Sequence, residues 1–265
     1  MGGHGGSSGY SKGGGLGIQV GAGPDISLSD FLSQNAANVA QAGGGIPSSA
    51  DLKQMSGGKP DIDAKAMTSK EFMDKYNAQN PNQAQKSASF EYTKSTTTST
   101  GFSPSQNMNY KLDTGGKLTS KEQAMLDGMN SMAKPLGKDT ILHRGAHKDA
   151  LAQLGVTSWN GMSESQLKQA LVGAQWDKKS LTSTSYDEKK SPFLSGPKSG
   201  GREVIFRIHA AGSTNATAVN PSQAEIVLGQ NTHWQITDAS FTGKWAHPAA
   251  GGSYKQIVID VDVWQ

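Results

Sequence analysis

At Thr140 the chain changes character, and that change limits its fold more than any other feature. Downstream, short apolar or alternating runs recur at 140–144, 179–185, 203–209, 215–219, 225–228, 233–241 and 254–264, with turn residues between them. The last reads Gln256-Ile257-Val258-Ile259-Asp260-Val261-Asp262-Val263 and alternates almost strictly after its first residues, as a strand with one buried face does. Upstream the signals are helical. Thr68-Ser69-Lys70-Glu71 and Thr119-Ser120-Lys121-Glu122 each place Thr three residues before Glu, so that side chains and backbone amides satisfy one another at a helix start. Phe72, Met73 and Tyr76 follow the first at helical spacing. Met125, Leu126, Met129 and Met132 follow the second on one face, a stripe that reads as core. A third box, Ser163-Glu164-Ser165-Gln166, opens a short helix with Leu167, Ala170 and Leu171. Helices first and a run of strands afterwards predict an α+β domain built on two packed, mostly antiparallel sheets with an N-terminal helical part.

Ahead of the first box the chain lacks the apolar residues for a core. Eleven of the first 23 residues are Gly, and Gly43-Gly44-Gly45 and Ser56-Gly57-Gly58 continue the bias. Residues 1–65 therefore read as a Gly/Ser-rich, largely disordered tail with one weak amphipathic piece, Ile26–Leu32, and 66–265 as the folded domain. The Gln-, Ser- and Thr-rich stretch 81–105 reads as a loop or insertion. The chain holds no Cys, which removes disulfides, thiol nucleophiles and thiolate metal sites. A net charge of +3 is too weak to argue for nucleic acid or an anionic membrane. No run reaches the roughly 18 apolar residues of a membrane span. The Met1-Gly2-Gly3-His4-Gly5 start lacks the basic and apolar regions of a signal peptide, so export would need a signal-less route or injection. The six histidines show no metal-ligand spacing, and no Gly-x-Ser-x-Gly elbow marks a serine hydrolase. Gly13-Gly14-Gly15-Leu16-Gly17 has no strand before it and is no dinucleotide fingerprint.

Three polar signatures stand on the predicted strands. Ile141-Leu142-His143-Arg144-Gly145 comes first, Leu181-Thr182-Ser183-Thr184-Ser185 second, and Gln223-Ala224-Glu225-Ile226-Val227-Leu228 third. Alone, Arg144 reads as an ordinary surface arginine and Ser183 as a strand hydroxyl bonded to backbone. Glu225 sits one residue before an apolar strand, where a buried charge is costly without a purpose. In this order the set resembles the Arg–Ser–Glu class of mono-ADP-ribosyltransferase toxins. The resemblance spans roughly residues 65–265.

It implies an ADP-ribosyltransferase-like fold and an enzyme that transfers ADP-ribose from NAD, its substrate, to a macromolecule with release of nicotinamide, with no metal. Cleaving the nicotinamide–ribose bond leaves an oxocarbenium-like centre, which a carboxylate beside the ribose stabilises. The two phosphates call for a planar, multi-donor cation, a task for Arg rather than Lys. The resemblance accordingly assigns Glu225 to the ribose and the cationic transition state, and Arg144 to the dinucleotide. The Gly145 backbone would read the nicotinamide amide, and Ser183 would orient the glutamate. Phe193, in the loop after the Ser-Thr-Ser strand, would cover nicotinamide, with core packing its plain alternative. Met108-Asn109-Tyr110-Lys111-Leu112 resembles the family's Asn-x-x-Leu helix, making Asn109 an adenosine-side contact. Gln223 stands where arginine-specific members carry Glu, and a neutral amide is no base toward a guanidinium. An Asn, Thr or nucleobase acceptor is therefore favoured over arginine, on a monomer without a membrane span. Residues 143–265 hold 12 Lys/Arg against 10 Asp/Glu, which tilts the acceptor toward protein rather than nucleic acid. The family further implies a toxin, secreted effector or phage-delivered protein. Two other readings compete. An NAD glycohydrolase would not need the acceptor contact Gln223, and a non-catalytic interaction module on the same fold would be expected to lose part of the signature.

Overall fold

The capping boxes form as the spacing predicts. In a computed structural model that describes residues 59–94, 103–146, 148–152, 154–189, 203–246 and 252–265, α1 (Ser69–Ala78) starts at Thr68. There the Thr68 hydroxyl accepts from the Glu71 amide at 3.2 Å, and the Glu71 carboxylate accepts from the Thr68 amide at 2.7 Å. The same reciprocal pair opens α2 (Gln83–Thr93) at Asn82, α3 (Pro104–Thr114) at Ser103 and α4 (Ser120–Met132) at Thr119. A short α5 (Asp149–Ala152) follows, and then α6 (Glu164–Leu171), boxed at Ser163. The stretch 81–105 is thus not a plain loop. Asn82 and Gln85 nucleate a helix there, and burial of Ala88 and Tyr92 holds it. Gly128 of α4 lies so close to α2 that a Cβ at that position would overlap the Ala88 methyl, which is why the two helices can touch. Of the expected tail, residues 1–58 with the Ile26–Leu32 piece lie outside the described residues, as do His147 and Phe193; residues 59–65 lie within them, with Lys59 paired to Asp262 and Lys65 on β1.

Among the described residues, ten strands follow or flank the helices. The first five are β1 (Lys65–Ala66), β2 (Lys134–Pro135), β3 (Thr140–Ala146), β4 (Gln175–Lys178) and β5 (Thr182–Ser185). Then come β6 (Val204–Ala210), β7 (Asn215–Asn220), β8 (Glu225–Leu228), β9 (Thr232–Ala246) and β10 (Tyr254–Trp264). They form one hydrogen-bonded path, β2-β7-β8-β5-β3-β6-β10-β9-β4, with β1 alongside β3. Of these pairings, only β1–β3 and β10–β6 are parallel. The path has a seam. Pairing of β3 with β6 runs from Thr140↔Ala210 to Ala146↔Val204, whereas β3 meets β5 through the single pair His143↔Ser185. Either side of that seam lies one of the two expected sheets.

The halves pack face to face. Ile226 and Leu228 of β8 share one buried cluster with Leu142, Phe206, Ile208, Ile257, Ile259 and Val261 from across the seam. Alternation then sends the intervening residues of β8 the other way. Val227 joins Leu181, Tyr92, Met108, Met125 and Met129 in a second cluster beneath α2, α3 and α4. Glu225 shares that helix-facing side. The faces of β6 and β10 turned away from the first cluster carry charge. Arg207 Nη2 donates to Asp260 at 2.7 Å, His209 lies 3.4 Å from both Asp260 and Asp262, and Lys59 reaches Asp262 at 2.6 Å. These carboxylates hold the His209 imidazole up to about 9. No helix among the described residues is long and apolar enough to cross a membrane.

Candidate functional site

Strand register sets the first element of the site. Ser185 lies opposite Glu225 and Ser183 opposite Val227 in the antiparallel β5–β8 pair, so Ser183 and Glu225 are diagonal neighbours on one face. The Thr184 hydroxyl between them points the other way and donates to the Ile226 carbonyl at 2.7 Å, which ties the two strands together. From β3, across the seam, the Arg144 guanidinium reaches over and donates through Nη1 to the Ser183 carbonyl. Gly145, next in β3, is buried opposite Ile205.

Glu225 is only 3% exposed. Burial raises its carboxyl above the ordinary glutamate range, while a hydrogen bond from Ser183 and the charge of Arg144 pull it back. The three residues thus form one electrostatic unit: a buried acid, an oriented hydroxyl and a fixed cation. Gln223 stands apart. It ends the short 3₁₀ turn Pro221–Gln223, half-buried, and its carbonyl accepts from the Ser185 hydroxyl at 3.3 Å. Between it and Glu225, the buried Ala224 adopts a left-handed conformation with φ 53°. Two residues apart in an extended strand would share a face, and the kink at Ala224 breaks that relation.

The helical layer closes the other side. Asn109 of α3 sits half-buried beside the Tyr92 hydroxyl, and its Oδ1 is buried without a hydrogen-bond partner. Sequence reasoning missed Tyr92. This side chain of α2 is 3% exposed, and its hydroxyl lies 3.2 Å from Ser183 Oγ. Burial raises the phenol, reinforced by the Glu225 charge and opposed by its Ser183 and Asn109 contacts and by Arg144. An Asn-x-x-Gln box at 82–85 with Ala88 and Tyr92 a turn apart was the available signal. It was masked by the surrounding Gln, Ser and Thr.

A second unforeseen group braces α3. The Asp113 carboxylate accepts from Lys178 Nζ at 2.9 Å, the Ser180 amide at 3.0 Å and the Ser180 hydroxyl at 2.8 Å, all three residues being buried. Burial lowers the Lys178 ammonium, and Asp113 opposes that shift. Through this contact the helix carrying Asn109 is tied to the chain entering β5. Among the described residues no cluster of three or more His, Asp or Glu side chains could hold a metal ion.

No protein-family model matches the chain, and no curated protein matches it. Solved structures do. The C3 exoenzyme of Clostridium limosum is 16% identical, with a TM-score of 0.55 over 76% of this chain and 98% of its own. An ADP-ribosyltransferase from Clostridium botulinum is 15% identical, with a TM-score of 0.53 over 78% of this chain and all of its own. The ADP-ribosylating toxin of a binary enterotoxin of Clostridium perfringens, solved with NADH, gives 0.54 at 16% identity over 74% of this chain and 47% of its own. At such low identity the agreement lies in the path of the backbone, and the chain has the fold of the ADP-ribosyltransferase toxins.

Proposed function

We propose that the protein is an NAD-dependent mono-ADP-ribosyltransferase that modifies a macromolecule other than at arginine, acting as a toxin or secreted effector. The observation that carries this reading is the convergence of Arg144, Ser183 and Glu225, from three separate strands, on one face beside the helical layer. Close by, the Asn109 Oδ1 is buried without a hydrogen-bond partner, an acceptor that a ligand donor would satisfy.

In this reading Arg144 holds the pyrophosphate as a planar cation. The Glu225 carboxylate, dehydrated by burial, opposes the positive charge that grows on the ribose as nicotinamide leaves with the bonding electron pair. Ser183 keeps the acid aimed, and the Gly145 backbone reads the nicotinamide amide. The acceptor nucleophile forms the new bond to the ribose carbon, and Gln223, on its own turn, positions that nucleophile through its amide. A neutral amide favours Asn, Thr or a nucleobase. With 12 Lys/Arg against 10 Asp/Glu in residues 143–265, too small a basic excess for a nucleic-acid groove, a protein acceptor is the reading we adopt.

The test is to incubate the protein with labelled NAD and a cell lysate, and to follow free nicotinamide and labelled macromolecule separately. Label that is protease-sensitive and nuclease-resistant is expected. Gln223→Ala is expected to keep nicotinamide release within about twofold while transfer falls below a tenth, the loss of a positioned acceptor contact. Equal loss of both signals would remove Gln223 from the acceptor side. Nicotinamide release without labelled product from the unaltered protein would make it a glycohydrolase.

A further inference from the structure

Tyr92 is a phenol where a phenyl ring would serve the packing. Its ring is buried with Met108, Met125, Met129 and Val227, an environment with no use for a hydroxyl. Burying a hydroxyl without a partner is unfavourable, so its partners indicate its purpose. Both belong to the site: Ser183 Oγ at 3.2 Å, and Asn109 beside it.

The direction of the chain follows from charge. An ionised Glu225 only accepts, so the single Ser183 proton goes to the carboxylate, the stronger of its options. Ser183 Oγ is then left with lone pairs, and the Tyr92 hydroxyl is the donor. Without that donor the serine is free to rotate and to donate to a nearby carbonyl instead. We propose that Tyr92 is a positioning residue of the active site, fixing the Ser183 hydroxyl so that it donates to Glu225. The arrangement makes the helical layer, and not the sheet alone, a determinant of how the acid is aimed. The proposal rests on the transferase reading for its consequence in turnover, but the hydrogen-bonded chain itself does not depend on it. Three groups face Glu225: the Arg144 guanidinium from β3, the Ser183 hydroxyl from β5 and the Tyr92 phenol from α2. The neighbouring strands add two uncharged residues paired with Glu225, Ser185 of β5 and Asn220 of β7.

The experiment compares Tyr92→Phe, Ser183→Ala and the double variant in the full-length protein, with two readouts. First, the Glu225 carboxyl carbon is followed by NMR against pH. Tyr92→Phe is expected to make it titrate at higher pH than in the unaltered protein, because the Ser183 donation weakens. In the Ser183→Ala background the same change is expected to have no further effect. Second, nicotinamide release is measured. Its kcat is expected to fall about five- to tenfold in Tyr92→Phe, the size of one lost hydrogen bond. KM for NAD is expected to hold, and the acid limb to move to higher pH. An unchanged Glu225 titration in Tyr92→Phe, or a shift of equal size with and without Ser183, would overturn the proposal whatever the activity. A merely structural tyrosine would lower the melting temperature and leave both titrations alone. Should the unaltered protein release no nicotinamide while the titration shifts as expected, the transferase reading falls and the positioning role stands.

Discussion

The two cores of this protein differ in kind. Between the sheet halves lie branched and aromatic side chains, Leu142, Ile208, Ile236, Ile259 and Trp159 among them, fully buried. Beneath α2, α3 and α4 methionine is as frequent as branched side chains: Met108, Met125, Met129 and Met132 lie beside Leu126, Leu181, Val219 and Val227, with Tyr92. Branched residues lock into few rotamers, whereas the unbranched thioether adjusts to its surroundings. β8 divides them, giving Ile226 and Leu228 to the stiff side and Val227 and Glu225 to the compliant one. On the proposed reading, an acid whose backbone is fixed from behind, and whose front is bordered by adaptable side chains, would stay aimed as a large flexible ligand is accommodated.

The largest expected effect probes the fixed wall. Glu225→Gln should lower nicotinamide release by on the order of 10²–10³, as for the loss of a transition-state stabiliser, with NAD affinity retained. The same change should stabilise the fold at neutral pH. A carboxyl raised by burial favours the native state when protonated, below the usual glutamate value near pH 4.3, and that contribution is lost as pH rises. The stability advantage of the Gln variant should therefore vanish toward pH 4, read as the difference in melting temperature. Full activity in Glu225→Gln would break the assignment of the acid.

Next comes the contrast between the cores. Leu142→Ala, on the stiff side, should cost about 2–5 kcal/mol in denaturant unfolding, since little can move into the space. Met129→Leu, on the compliant side, should cost under about 1.5 kcal/mol. Similar losses from both would erase the distinction. The smallest effect lies on the charged outer face. His209 titrates near 9 in the fold and near 6.5 in the open chain, so its contribution is complete below about pH 6.5 and lost as pH climbs through 9. His209→Asn should flatten the stability–pH curve across that interval and lower stability below about pH 6.5, where the charged imidazole contributes in full.

Legibility follows the same division. Arg144, Ser183 and Glu225 could be read because each stands on a strand whose pattern is local, and because their order resembles a known family. Helix α2 escaped. Two buried positions, Ala88 and Tyr92, make no stripe, and the sequence around them is polar. Strand β4 was also missed, since Gln175-Trp176-Asp177-Lys178 owes its pairing to β9 rather than to its own pattern. Long-range partnerships had no local trace at all: Tyr92 meets Ser183 across 91 residues, and Lys178 meets Asp113 across 65. The seam between β3 and β5 belongs to the same class, because a single register pair joining two sheets leaves no periodic mark.

The backbone at Ala224 has a consequence for how such a molecule changes over time. A left-handed conformation in a residue with a Cβ costs roughly 1–2 kcal/mol and persists only where both neighbours are held. Here it works as a wrist. The forearm is the strand bearing Glu225, and the hand is the turn Pro221–Gln223. On the proposed reading, rebuilding the hand would swivel the amide without shifting the acid, so a lineage built on this plan could trade one target for another while the half that would break the bond stayed in place.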